Sequence, residues 1–288
     1  MCTVRTTTNP VFRNLPKDSG GYATFGSGAA GAGQVTQQYG SGPGYGEYPP
    51  QSYEAPPESR SMTIDDVVTK TGITLALLTI TAIVSYVLVH QNLDLATPFV
   101  IVGGLVGLVL VLVATFGRKM DNPALVLGYA AAEGVFLGAL SFMFTNVEFG
   151  GSGGGELIIQ AVLGTFGVFF GMLVVYKTGA IRVTPRLTRM IIGGLIGVVV
   201  LALGNLVASF FIDGGLGLRD GGAVAIIFSL VCIGLAAFSF LLDFDAADKL
   251  IRARAPEKAA WSVALGLTVT LVWLYVEILR LLSYFQSD

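Results

Sequence analysis

Polar and apolar positions alternate in long blocks along this chain. From about residue 70 to the end, seven apolar runs of membrane-spanning length follow one another, separated by short segments rich in Gly, Pro, Asn and charged residues. A run of ~20 apolar residues crosses the ~30 Å hydrocarbon core of a bilayer as a helix. The runs place spans at about 71–89, 98–116, 123–145, 156–176, 189–211, 223–242 and from after Pro256 to about 285. Start signals agree with them. Ser61 or Thr63 is placed to cap the first helix, with Asp65 and Asp66 in the turn where the helix dipole favours negative charge. Thr97-Pro98, Asn122-Pro123 and Thr184-Pro185 each set a capping side chain before a proline suited to the first helical turn. Span six is expected to continue as a helix past Asp248, because Asp245 and Lys249, and Asp248 and Arg252, stand at ion-pair spacing. Small residues four apart (Gly103 and Gly107, Gly134 and Gly138, Gly167 and Gly171, Gly193 and Gly197) read as flat stripes for close helix packing.

The first 60 residues follow another pattern. From Ser19 to Ser59 they are rich in Gly, Tyr, Gln, Ser and Pro, which bury too little apolar surface to offset chain entropy. Disorder is the expectation for 1–60, and flexibility for the Gly150–Gly155 turn. Only 12% of the chain is charged against 53% apolar, the profile of a membrane domain. A net charge of −2 argues for no nucleic-acid partner. Cys2 lies in the tail and Cys232 in an apolar run, so a disulfide between them is not expected, and no apolar leader precedes Cys2 as in a secreted lipoprotein.

Basic residues fix the expected orientation. They follow span two (Arg118, Lys119), span four (Lys177, Arg182, Arg186, Arg189) and span six (Lys249, Arg252, Arg254, Lys258), and they recur in the tail; the other side holds Arg219, with Arg280 near the last helix end. The positive-inside rule then puts the N-terminus in the cytoplasm, and an odd number of spans puts the C-terminus outside.

Three carboxylates fall within or at the edge of spans, where an ionisable group is costly and tends to be functional. Glu133 is expected about 15 Å into span three, near the midplane. Asp243 stands toward the cytoplasmic end of span six, with Ser239 one turn back. Glu277 stands about 28 Å along span seven, with Arg280 three residues on as a structural ion-pair partner or a residue free to snorkel outward. Nothing else suggests chemistry. His90 has no companion ligand, no nucleotide-binding or metal-hydrolase spacing occurs, and span seven has no Lys for a retinal Schiff base. The chain is therefore not expected to be an enzyme or to need a cofactor.

Around these acids the chain resembles the Bax-inhibitor (transmembrane BAX inhibitor motif) family in its actinobacterial form. The likeness rests on Met62-Thr63-Ile64-Asp65-Asp66-Val67-Val68, Ala132-Glu133-Gly134, Leu242-Asp243-Phe244-Asp245, and Ala255-Pro256-Glu257-Lys258 leading to Leu274-Tyr275-Val276-Glu277. It covers residues 61–286, and Asn9-Pro10-Val11-Phe12 is similar too. The resemblance implies an all-α membrane protein, a seven-helix bundle with the last helix central, occupying 61–288 behind the disordered cytoplasmic tail 1–60. It implies a pH-sensitive Ca²⁺ leak channel of the bacterial cytoplasmic membrane, in which acids on spans six and seven share a proton and hold the pore shut. Asp243 matches the first acid; Glu277 matches the second by context, with Glu where the family has Asp. Both would serve as transient Ca²⁺ ligands, and Glu133 is an alternative partner for Glu277. Two other readings stay open: a proton-coupled transporter using Glu133 or Glu277, and a non-transporting membrane partner that regulates stress responses.

Overall fold

The computed structural model describes residues 60–146, 154–212 and 215–286. The tail up to residue 59 and most of the Gly150–Gly155 turn lie outside the described residues, whereas Gly154 and Gly155 open a helix. Seven helices among the described residues are long and apolar enough to cross a membrane: α1 (Ile64–Gln91), α2 (Ala96–Phe116), α3 (Pro123–Asn146), α4 (Gly154–Thr178), α5 (Pro185–Ala208), α6 (Ala223–Arg252) and α7 (Ala260–Gln286).

Side-chain caps mark the starts of α1, α3 and α5. Thr63 accepts a hydrogen bond from the Asp66 amide while the Asp66 carboxylate accepts from the Thr63 amide, a reciprocal box that starts α1. Asn122 accepts from the Ala124 amide (2.9 Å) and Thr184 from the Leu187 amide (3.2 Å), each just before its proline. The expected cap at Thr97 does not form. Asn92 instead caps a short 3-10 turn, Leu93–Leu95, which runs straight into α2, so Thr97 and Pro98 lie inside the first turn. Helix α5 also ends before the expected residue 211. Its buried Asn205 accepts from the Leu216 amide (2.8 Å), folding the following loop back over the helix end. Gly215 makes that fold possible: its φ is +66°, and a β-carbon would sit 2.9 Å from Asn205 Oδ1.

Helix α7 is the core of the bundle, packed by α1, α3, α4 and α6, and 72% of its most apolar stretch is buried against 11% for α4 and for α5. Helix α3 sits between α1 and α2. Gly134 and Gly138 meet the α1 backbone at Leu78 and Ala82, and Gly103 meets the α3 backbone at Phe136. These two stripes are packing faces as expected, whereas Gly167, Gly171, Gly193 and Gly197 have nothing close to them.

The basic loops gather at one end of the bundle, called here the basic end. Lys258 pairs with Asp121 of the α2–α3 loop at 3.0 Å, and Tyr176 near the end of α4 packs at a tilt against Phe244 of α6. Residues 60–62 form a strap across the α6–α7 loop. The Met62 amide donates to Ala255 O and the Glu257 amide to Arg60 O, each at 2.8 Å. Lys70 donates to Glu257 O at 2.8 Å. Met62 itself is buried against Phe240, Phe244 and Val263.

Candidate functional site

Helices α6 and α7 are antiparallel neighbours joined by a short loop, so positions about equally far on either side of Pro256 face each other. Asp243 thereby meets Thr270. Thr270 Oγ1 donates to Asp243 Oδ2 at 2.8 Å and also approaches Gly266 O, its own helical acceptor, at 3.2 Å. Asp243 Oδ1 rests over Gly266, where a β-carbon would lie 3.5 Å away. Ser239, one turn back, is turned to its own helix and donates to Leu235 O. The contact is a polar bridge between α6 and the central helix, flanked along α6 by the buried Phe240 and Phe244. The neighbouring Asp245–Lys249 and Asp248–Arg252 pairs form as expected, at 2.6 and 2.8 Å.

Glu277 lies seven residues beyond Thr270, so about 10 Å farther along α7 from the basic end. It is 5% exposed, and its Oε1 accepts from Arg280 Nη1 at 2.7 Å. Its Oε2 is buried with no hydrogen-bond partner among the described residues. Arg219, from the α5–α6 loop, and Cys232 of α6 lie within electrostatic reach of this carboxylate. The ion pair expected from the spacing of Glu277 and Arg280 forms. Arg280 holds Glu277 from its own helix.

Glu133 is 8% exposed and has no ion pair among the described residues. Tyr129, one turn back, is the polar side chain that bears on it. It points toward α2, where Gly107 makes room; a β-carbon there would stand 2.5 Å from Glu133 Oε1. Tyr129 shares a buried cluster with Leu265, and Ala130 shares one with Val272, which sets Glu133 at nearly the depth of Thr270 but on the side of α3 that faces α2.

The three acids are thus not brought together. Asp243 and Glu133 lie at a similar depth, the first against α7 and the second against α2, and Glu277 is two turns away from both. Sequence reasoning missed Thr270, although reflection of Asp243 about Pro256 points at it. It also left Arg219 as a loop charge, and nothing in the sequence ties that residue to Glu277.

No group of three or more His, Cys, Asp or Glu side chains able to hold a metal occurs among the described residues. Calcium takes about six to eight oxygen ligands, at least twice what the Asp243 carboxylate and the Thr270 hydroxyl supply. The free oxygen of Glu277 stands beside arginines, which repel a cation. Neither place suits a resident metal.

Comparison with known proteins agrees with this architecture. A stretch of 133 residues, 45% of this chain and 49% of the other, is 29% identical to an uncharacterized protein of Chlamydia muridarum (strain MoPn / Nigg). The chain spans about half the length of that curated relative. The family described as Bax inhibitor 1 like matches residues 9–287, including the region before α1 that the resemblance had largely set aside. With that match across nearly the whole chain and its seven apolar helices, this multi-pass membrane protein belongs to the Bax inhibitor 1 like family.

Proposed function

We propose that this protein is a pH-sensitive cation leak channel of the bacterial cytoplasmic membrane, carrying Ca²⁺, with its basic end and N-terminus in the cytoplasm. Asp243 is the gating acid. The observation that supports the reading most is the Asp243–Thr270 bridge, which ties the central helix to α6 through one titratable group. Protonated, Asp243 stays in its hydroxyl-lined niche and the seam remains shut. Ionised, it needs water or a cation in place of hydrocarbon, and its oxygens suit a hard divalent ion. Conduction is therefore expected to rise with pH. Glu277 contributes a fixed, arginine-held charge near the other end of the seam.

A second reading, a proton-coupled transporter, draws on Glu133, a buried carboxylate with no basic partner among the described residues. Liposomes holding a Ca²⁺ dye separate the two. A channel passes Ca²⁺ only downhill, faster at higher pH, and keeps doing so after removal of residues 1–59, which leaves the Arg60 strap in place. Accumulation against a Ca²⁺ gradient on imposing a proton gradient would favour the transporter. Flux no greater than in empty liposomes at every pH would overturn both.

A further inference from the structure

In the half of the bundle away from the basic end, α1 and α4 hardly touch, and a cavity of about 490 Å³ opens between them. Helix α7 forms its floor through Leu271, Val272 and Tyr275, and α3 contributes Leu137 and Ser141. Pockets of this size commonly hold a small molecule. Along α1 the lining runs from Leu75 to Tyr86. Those eleven steps span about 16 Å, roughly half of the ~30 Å hydrocarbon layer, so the cavity has the depth of one leaflet.

The chemistry of the walls selects an apolar occupant. No charged side chain lines the cavity. Thr79 donates to Leu75 O, Thr165 to Ala161 O and Ser141 to Leu137 O, and the Ser141 and Tyr275 hydroxyls are bonded to each other at 2.8 Å. A water molecule needs two to four polar partners, and these hydroxyls have already given their protons to partners within the protein. Tyr86, with its polar tip and apolar ring, sits at the end nearest the membrane surface, where tyrosines anchor to headgroups. The mouth is flanked by the exposed Ile83 and Leu163, so hydrocarbon chains of the bilayer reach it directly.

We propose that this crevice is a lipid-binding site that retains one acyl chain of a lipid from that leaflet, wedged between α1 and α4 against α7. The occupant would touch Leu271 and Val272, the residues directly after Thr270, and brace the central helix at that depth.

Photolabelling tests this. The full chain is placed in phosphatidylglycerol nanodiscs doped with a phosphatidylcholine whose acyl chain carries a diazirine, irradiated, digested and mapped by mass spectrometry. Adducts should concentrate on residues 79–86 and 158–166, exceeding those on the α5 face of Ile196, Val200 and Leu203, which is more than half exposed. Val162→Trp from one wall, and Ile83→Trp from the other, should remove most crevice adducts and leave α5 labelling unchanged. Labelling that tracks exposure alone, no richer in the crevice than on α5, would overturn the proposal in the unmodified protein. So would crevice labelling that survives whichever tryptophan variant folds.

Discussion

Two carboxylates along the seam of α6 and α7 are held in opposite ways. Asp243 is met across the seam by a neutral hydroxyl, and Glu277 is met by a guanidinium on its own helix. The first contact changes when α6 and α7 move apart. The second travels with α7 and is blind to such movement. A buried acid with a basic partner three residues away keeps that partner when the helices part, whereas one bridged across helices by a hydroxyl loses it.

The harshest way to break the contrast is to remove the guanidinium. Arg280→Ala leaves a carboxylate buried without its hydrogen-bonded base and should cost about 3–5 kcal/mol, read as a lower unfolding temperature in detergent. Glu277→Gln with Arg280→Met removes both charges and should recover most of that loss. Equal damage by the single and double changes would refute the structural role of the pair.

Glu133 offers a third case, in which a glycine rather than a base accommodates the acid. Gly107→Ala places a methyl against Glu133 Oε1, while Gly103→Ala places one 2.8 Å from the Phe136 backbone nitrogen. A side-chain end can shift and a backbone cannot. Gly103→Ala should therefore cost more within the ~1–3 kcal/mol typical of overpacking, and Glu133→Asp should rescue only Gly107→Ala. Thermal unfolding of the four variants checks the order.

A gentler change sharpens the seam itself. Thr270→Val removes the donor while keeping the shape, at a cost near 1 kcal/mol. It should raise Ca²⁺ leak at low pH, where the bridge holds the seam shut, and leave flux at high pH little changed.

The smallest effect belongs to an exposed ion pair. The Asp121 carboxyl lies below its usual range, chiefly through the hydrogen bond from Lys258. A carboxylate with a lowered folded-state pKa stabilises the fold above its unfolded value, ~3.9, and that contribution fades as pH falls through the folded one. Both side chains are well exposed, so the contribution is below ~1 kcal/mol. Lys258→Ala should remove this pH-dependent increment without touching the response of flux to pH.

The spans were legible because long apolar runs leave few alternatives to a membrane helix, and Thr63, Asn122 and Thr184 marked real starts. The beginning of α2 was not, because a 3-10 turn capped by Asn92 took over the role given to Thr97. The acids were conspicuous by their rarity in apolar surroundings. Their partners were harder to read, since they depend on helix register and rotation. The resemblance set Glu277 beside Asp243, whereas the loop around Pro256 sets Thr270 there. Glu133 shows the same difficulty: its neighbour Gly107 looked like plain packing, and only the α2–α3 contact reveals a glycine facing a carboxylate.

The most direct measurement compares Ca²⁺ flux against pH for Asp243→Asn and Glu277→Gln in the same liposomes. Asp243→Asn should flatten the rise of flux with pH, and Glu277→Gln should keep its shape even if the protein is less stable. A pH response that survives Asp243→Asn, or vanishes only with Glu277→Gln, would contradict the assignment of the gate to the α6–α7 bridge.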